Sequence, residues 1–248
     1  MASSGLKIAI VGGGLAGLAA AMKIAEAGHE VDMISVVPVK RSHSVCAQGG
    51  INGAVNTKGE GDSPAKHLDD TVYGGDFLAN QPPVKRMTDM APAIINLFDR
   101  MGVPFSRTNE GLMDFRRFGG TLHHRTAFAG ASTGQQLLYA LDEQVRKWEV
   151  GGSVTKYEGW EMLSLVLDDH QVCRGLIAMN LQTLELKSFA ADAVIMATGF
   201  LFGALAGVPA ALLVVAGQRR REELNTPPMP YYQHQPHPQQ PPVIVLDG

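Results

Sequence analysis

Cysteine is nearly absent: Cys46 and Cys173 are the only two among 248 residues. Two thiols cannot build the disulfide scaffold of a small secreted domain, and they fit a reducing compartment. Neither sign of charge dominates. The 21 Lys and Arg stand against 24 Asp and Glu, a formal net charge of -3. No basic field therefore draws nucleic acid to the surface as a whole. Met1 to Leu6 is short and polar, and Lys7 opens directly onto an apolar run. That start has neither the apolar centre of a secretory signal nor the arginines of a transit segment, so a cytoplasmic location is expected, free or on the cytosolic face of a membrane. A metal-ligand set is also lacking. His234 and His237 are spaced like some ligands but lie in a Pro/Gln-rich tail without cysteine or carboxylate partners, and His170 stands apart, so no metal is expected. What is present is a hydrophobic fraction of 45%, enough for one domain with a real core.

Ile8-Ala9-Ile10-Val11 is a continuous apolar run of the kind a strand buried on both faces requires. Leu15 to Ala27 carries apolar residues at helical spacing and stops at Gly28, and Val31 to Ser35 reads as a second strand. The three form a βαβ unit. From Pro38 to Gly75 polar residues and glycine dominate without a strong period, which suits a segment that wraps a ligand. Helices are expected over 91–101 and 134–150, the second with Leu137, Leu138, Leu141 and Val145 on one face. Thr155 to Ala190 alternates like a small antiparallel meander with Leu163, Leu165 and Leu167 on a shared face, and Ala193 to Ala197 reads as another buried strand. The fold class expected is α/β, a Rossmann-like domain with a parallel sheet and a small β-meander, over residues 1–199.

After Gly199 the character changes. Phe200 to Gly217 is uncharged and apolar, Arg219 to Arg221 follow abruptly, and Pro227 to Pro242 is rich in proline, glutamine and histidine. Residues 200–248 are accordingly expected to be an apolar segment followed by a disordered low-complexity tail. The apolar segment is a candidate membrane span with a stop-transfer flank, but Gly203, Gly207, Pro209 and Gly217 interrupt it, and a segment that does not span is the stronger expectation.

Gly12-x-Gly14-x-x-Gly17 follows one expected strand and opens a helix, the context in which a glycine turn holds a dinucleotide pyrophosphate. Gly12 permits the tight turn, Gly14 lets backbone approach the phosphates, and Gly17 lets helix and strand pack closely. Gly13, Leu15 and Ala16 complete the turn. The end of the second strand, where an acidic residue would take ribose hydroxyls, is Ser35. A serine accepts a ribose bond without the charge-assisted strength of a carboxylate, which weakens an NAD reading more than an FAD one.

With Gly12–Gly17, the run Val37 to Ile51 that contains Arg41-Ser42-His43-Ser44-Val45-Cys46-Ala47-Gln48-Gly49-Gly50, and Asp70 to Asp76, the chain resembles the flavoprotein subunit of succinate dehydrogenase and fumarate reductase, closest to the bacterial menaquinone-linked type. Arg116 to Gly120, His124-Arg125-Thr126, Thr133-Gly134 and Ala197-Thr198-Gly199 match further blocks in order, so the likeness covers about residues 7–199. The resemblance implies covalent FAD, joined from an imidazole nitrogen of His43 to the flavin 8α-methyl carbon. It implies cofactor contacts from Gly12 to Gly17, Ser35, Arg41 to Ser44, Gln48 to Gly50, Thr198 and Gly199. Phe118 resembles the aromatic residue that covers the dicarboxylate, although a core phenylalanine satisfies the sequence nearly as well. Arg116, Arg117 and His124 are weaker candidates as carboxylate binders against the ordinary role of solvated charges. Cys46 reads as a small packing residue. The implied reaction is hydride transfer between succinate and flavin. Electrons would pass to an iron–sulfur subunit and, through a membrane anchor subunit, to quinone, with this subunit peripheral on the cytoplasmic face of the inner membrane.

The family's second half, with its proton-transfer arginine, does not follow Gly199, as a frameshift or truncation would produce. The residues therefore leave turnover open. Two other readings stand beside the first: a non-catalytic FAD-binding fragment, and a soluble flavoenzyme like L-aspartate oxidase or soluble fumarate reductase. The His43-to-Gln48 word argues against the oxidase.

Overall fold

The computed structural model describes residues 5–199, 211–216 and 243–247. Two compact units are present among the described residues, one built from those up to Pro38 and those from Trp148 to Leu246, the other from Val39–Lys147 together with Asp247. The span read as one domain thus contains both.

The first unit begins with β1 (Lys7–Val11), α1 (Leu15–Glu26) and β2 (Glu30–Ser35). α1 buries Gly17, Leu18, Ala21, Met22 and Ala25, a stripe with the i, i+4 recurrence of an amphipathic helix. Fully burying side chains such as Leu18 or Met22 is worth about 1.5–3 kcal/mol each, which binds the helix to the sheet.

The second unit starts with 3-10 turns at Val39–Arg41 and His43–Cys46, then β3 (Ile51–Asn52) and α2 (Pro64–Gly74). The long stretch expected to lack regular structure therefore contains a helix. Its start signal is local: the Ser63 hydroxyl accepts from the Lys66 amide at 3.2 Å and Pro64 opens the first turn. Few apolar residues mark the buried face, where His67 and Val72 lie, so no period stood out. α3 (Gln81–Arg100) begins well before the expected 91. Only Thr88, Ala91 and Ile95 are buried, which confines the apolar signal to its second half, and Pro92 lies inside the helix rather than ending it. β4 (Phe115–Arg116) and β5 (Thr126–Ala127) join β3 in a small antiparallel sheet ordered β3-β5-β4. α4 (Thr133–Val150) closes the unit and leads back to the first.

There, β6 (Val154–Glu158) pairs in parallel with β2, from Val31 opposite Val154 to Ser35 opposite Glu158. Residues 155–158 thus belong to the main sheet and not to the meander, which is β7 (Trp160–Leu167), β8 (Cys173–Asn180) and β9 (Leu186–Ala190). Leu163 and Leu167 are exposed, contrary to the shared apolar face expected of them. Register breaks between Met162 and Ser164 and between Val166 and Leu167 interrupt the period-two alternation. The buried meander side chains are instead Trp160, Cys173, Leu176, Ala178 and Phe189. They pack with Ala9, Val11, Ile34, Val194 and Met196 on one face of the main sheet. Tyr157, Trp160 and Phe189 meet edge to face, with centroids 4.7–5.9 Å apart. β10 (Ala193–Met196) pairs in parallel with β1, and the order β10-β1-β2-β6 is that of a dinucleotide-binding half. Beyond β10, β11 (Ala211–Ala216) is antiparallel to it and β12 (Val243–Asp247) lies outermost. Ala211–Ala216 is thus a strand within the candidate membrane segment. The rest of that segment, and the stretch Pro227–Pro242 expected to be disordered, lie outside the described residues. Among the described residues no helix is long and apolar enough to cross a membrane.

Candidate functional site

In the first unit the glycine turn is held where a side chain cannot fit. Gly12 has φ +113°, the left-handed region that favours glycine, and a Cβ there would overlap the Ala197 carbonyl at the end of β10. A Cβ on Gly17 would overlap the Gly12 carbonyl oxygen. Backbone bonds from Gly12 N to Ile34 O at 2.8 Å and from Ala197 N to Val11 O at 2.7 Å tie the turn to the strand ends. Gly14 precedes α1 without a capping side chain, and the first turn of the helix carries no acidic residue. That helix end, fronted by bare glycine backbone, suits a pyrophosphate. Thr198 and Gly199, the latter with φ +73°, follow β10 beside this turn. Ser35 is buried at the end of β2, and its hydroxyl donates to the Val37 carbonyl at 2.6 Å, leaving oxygen lone pairs to accept a ribose hydroxyl.

In the second unit, Arg41 and His43 are exposed, while Ser42 between them is buried. The Ser42 Oγ has no hydrogen-bond partner among the described residues. A buried orphan hydroxyl beside an accessible imidazole fits a polar ligand that is held there. The following loop is pinned from two directions. Gly134 donates to the Ala47 carbonyl at 2.7 Å and packs so closely that a Cβ on it would overlap the Ser44 carbonyl. Gly50, at φ +116°, lies against the Ala127 carbonyl in the same manner. The Phe118 ring covers the α-carbon of Gly49. Phe118 is 52% exposed, so it is no core residue. Cys46 is exposed too, and the packing role expected of it is not what the structure gives it.

The three charged residues read as carboxylate binders are engaged elsewhere. Arg116 donates to the carbonyls of Gln48 and Gly49 at 3.2 and 2.5 Å. Arg117 pairs with Glu60 at 3.2 Å, and His124 meets the same carboxylate through its backbone N–H at 2.9 Å and its ring at 2.8 Å. These bonds, the His124 amide first, lower the pKa of exposed Glu60 to about 2.

Sequence reasoning missed a buried charge cluster next to this loop. Arg125 has no solvent exposure. It grips Asp62 with two bonds of 3.0 and 2.8 Å, and Asp70 is 2.8 Å from the same guanidinium. His67 is buried beside them, and its pKa is lowered by burial and by the Arg125 charge. Arg125, Asp70 and His67, with Asn52 and Thr121, line a cavity of about 490 Å³. Asp70 and Arg125 both fall in the blocks that carry the family resemblance; nothing in their spacing marked them as partners. Among the described residues no group of three His, Cys, Asp or Glu side chains is placed to hold a metal, and His234 and His237 lie outside the described residues.

Residues 7–240 match the FAD binding domain family. Over 192 residues the chain is 73% identical to the succinate dehydrogenase flavoprotein subunit of Bacillus subtilis (strain 168), covering 77% of this chain and 33% of that protein. It is 39% identical over 194 residues to a fumarate reductase flavoprotein subunit of Mycobacterium tuberculosis, covering 77% of this chain and 32% of that protein. Among solved structures, an E. coli quinol fumarate reductase superposes with a TM-score of 0.71 at 35% identity, covering 80% of this chain and 33% of the other. A Mycobacterium smegmatis Sdh1 structure superposes at 0.74 with 28% identity, covering 79% and 34%. The chain spans about a third of the length of the curated relatives it matches.

Proposed function

This chain belongs to the FAD binding domain family, and we propose on that basis that it is the FAD-holding part of a succinate dehydrogenase/fumarate reductase flavoprotein subunit. The Gly12–Gly17 turn takes the pyrophosphate at the start of α1, Ser35 accepts from a ribose hydroxyl, and Thr198 and Gly199 flank the same turn. Arg41, Ser42 and Ser44 line the approach to His43, whose imidazole nitrogen would hold the flavin through its 8α-methyl carbon, the two electrons and two protons of the C–H and N–H bonds broken passing to the flavin ring itself. Gln48, Gly49 and Gly50 offer donors at the flavin edge, and Phe118 covers the dicarboxylate beside Gly49. When bound, FAD supplies the hydride-accepting chemistry; these residues hold it, orient it and exclude water. In the assembled complex, electrons leave to an iron–sulfur subunit and a quinone at the membrane anchor, with this subunit peripheral on the cytoplasmic face.

The observation that carries the reading is the loop over 42–50: an orphan buried hydroxyl, an accessible imidazole, a Gly50 that the Ala127 backbone allows to be nothing else, and a Gly49 under the Phe118 ring. Gel filtration of the chain after incubation with FAD, followed by flavin absorbance per chain, tests it. Near-equimolar retained flavin supports the proposal, and flavin eluting wholly free contradicts it. Succinate-dependent dye reduction by the flavin-loaded chain separates this reading from FAD binding without turnover.

A further inference from the structure

Arg116 sits beside the flavin loop, yet no residue role assigned so far accounts for it. Its Nε and Nη2 donate to the Gly49 carbonyl at 3.1 and 2.5 Å, and Nη2 also reaches the Gln48 carbonyl at 3.2 Å. The guanidinium is fixed from behind by the Phe128 ring, 4.4 Å from centroid to Cζ, and by Phe118 at 5.4 Å. One cation therefore grips the oxygens of two successive peptide units. The N–H of Gly49 belongs to the first unit and that of Gly50 to the second. In a planar trans peptide the N–H points away from the carbonyl oxygen, so both donors face away from Arg116. Among the described residues neither donates a backbone hydrogen bond. A positive charge on the oxygen end also polarises each amide and strengthens its N–H as a donor.

We propose that Arg116 is a positioning residue that turns and polarises the Gly49 and Gly50 amides toward the flavin, so that the loop binds reduced flavin more tightly than oxidised flavin. The proposal rests on the FAD reading of this loop. Arg116 acts through the two peptides and touches neither flavin nor substrate. A neutral residue in its place leaves the loop without the field that strengthens its donors. A lysine keeps the charge but lacks the planar fork that spans both oxygens.

The test uses the full chain loaded with FAD, with the midpoint potential read by spectroelectrochemical titration. For Arg116→Gln we expect the preference for reduced over oxidised flavin to fall about tenfold, which for a two-electron couple is a drop of roughly 30 mV. Arg116→Lys recovers part of the drop. A merely structural role lowers the melting temperature of both variants and leaves the potential of the folded, loaded protein where it was, and that outcome overturns the proposal. A second readout needs no flavin: the amide-nitrogen chemical shifts of Gly49 and Gly50 in the unloaded chain. Both move in Arg116→Gln while that of Gly28 does not; unmoved Gly49 and Gly50 signals overturn the proposal. Failure of the wild-type chain to take up FAD overturns the FAD reading instead, and the amide shifts still decide whether Arg116 polarises the loop.

Discussion

Replacing Arg125 with methionine is the sharpest perturbation of the unit that carries the loop over 42–50. Arg125 is fully buried. It binds Asp62, which is 7% exposed, through two bonds of 3.0 and 2.8 Å, and the more open Asp70 at 2.8 Å. Methionine fills much of the arginine volume, so the cavity contribution is small and the electrostatic one decides. Breaking a buried pair by removing one partner costs about 3–5 kcal/mol, because a charge stays behind without compensation. Set against a usual total of roughly 5–15 kcal/mol, that loss is severe. At about 2–4 °C per kcal/mol for a chain of this size, the melting temperature falls by roughly 6–20 °C. One control identifies the cause. Adding Asp62→Asn removes the stranded charge and recovers part of the loss, a coupling on the order of 0.5–3 kcal/mol. Differential scanning calorimetry of wild type, the single variants and the double variant measures this. A deficit that is the same in the double variant refutes the reasoning, because the loss then comes from packing and not from a held charge.

Three further outcomes follow from the same geometry. Gly17→Ala gains about 1 kcal/mol of helix propensity but drives a Cβ into the Gly12 carbonyl; the overlap wins, so urea denaturation shows net destabilisation of about 1–2 kcal/mol together with lost FAD retention, where a propensity effect alone gives a stabler protein. Gly49→Ala and Gly50→Ala differ in kind: the first meets only the exposed Phe118 ring, which swings aside at a cost under about 1 kcal/mol, whereas the second meets the Ala127 backbone at positive φ and costs about 1–3 kcal/mol by the same denaturation assay. For His67, burial lowers the folded pKa below the unfolded value near 6.5, so the unfolded chain binds the proton more readily and stability falls as the pH drops below about 6.5; His67→Gln flattens that part of the melting profile, and an unchanged slope contradicts the assignment.

Much of the first unit was legible because its signals are local. The apolar run Ile8–Val11, the glycine turn and the stripe on α1 each specify their element without help from distant residues. The loop over 42–50 stood out as a candidate site for another reason: its glycines and its lone histidine form an unusual word. What escaped depends on contacts far apart in sequence. α2 buries a histidine instead of an apolar stripe, and α3 passes through Pro92 where a helix ordinarily ends. Arg116 and Arg117 look alike in the chain, yet one holds loop carbonyls 67 and 68 positions away and the other pairs with Glu60. The Arg125 cluster joins residues 63 positions apart. No periodicity reports such pairings, since the partners meet only once helices and strands have packed.

The central claim is that the loop over 42–50 holds a flavin at His43. Acid precipitation of the flavin-exposed chain, then tryptic digestion and mass spectrometry of the peptide spanning 42–58, tests it most directly. The account predicts a yellow pellet and FAD mass carried on His43, lost in His43→Ala. Flavin washed out by the acid with that peptide unmodified, or flavin mapped to another residue, contradicts it.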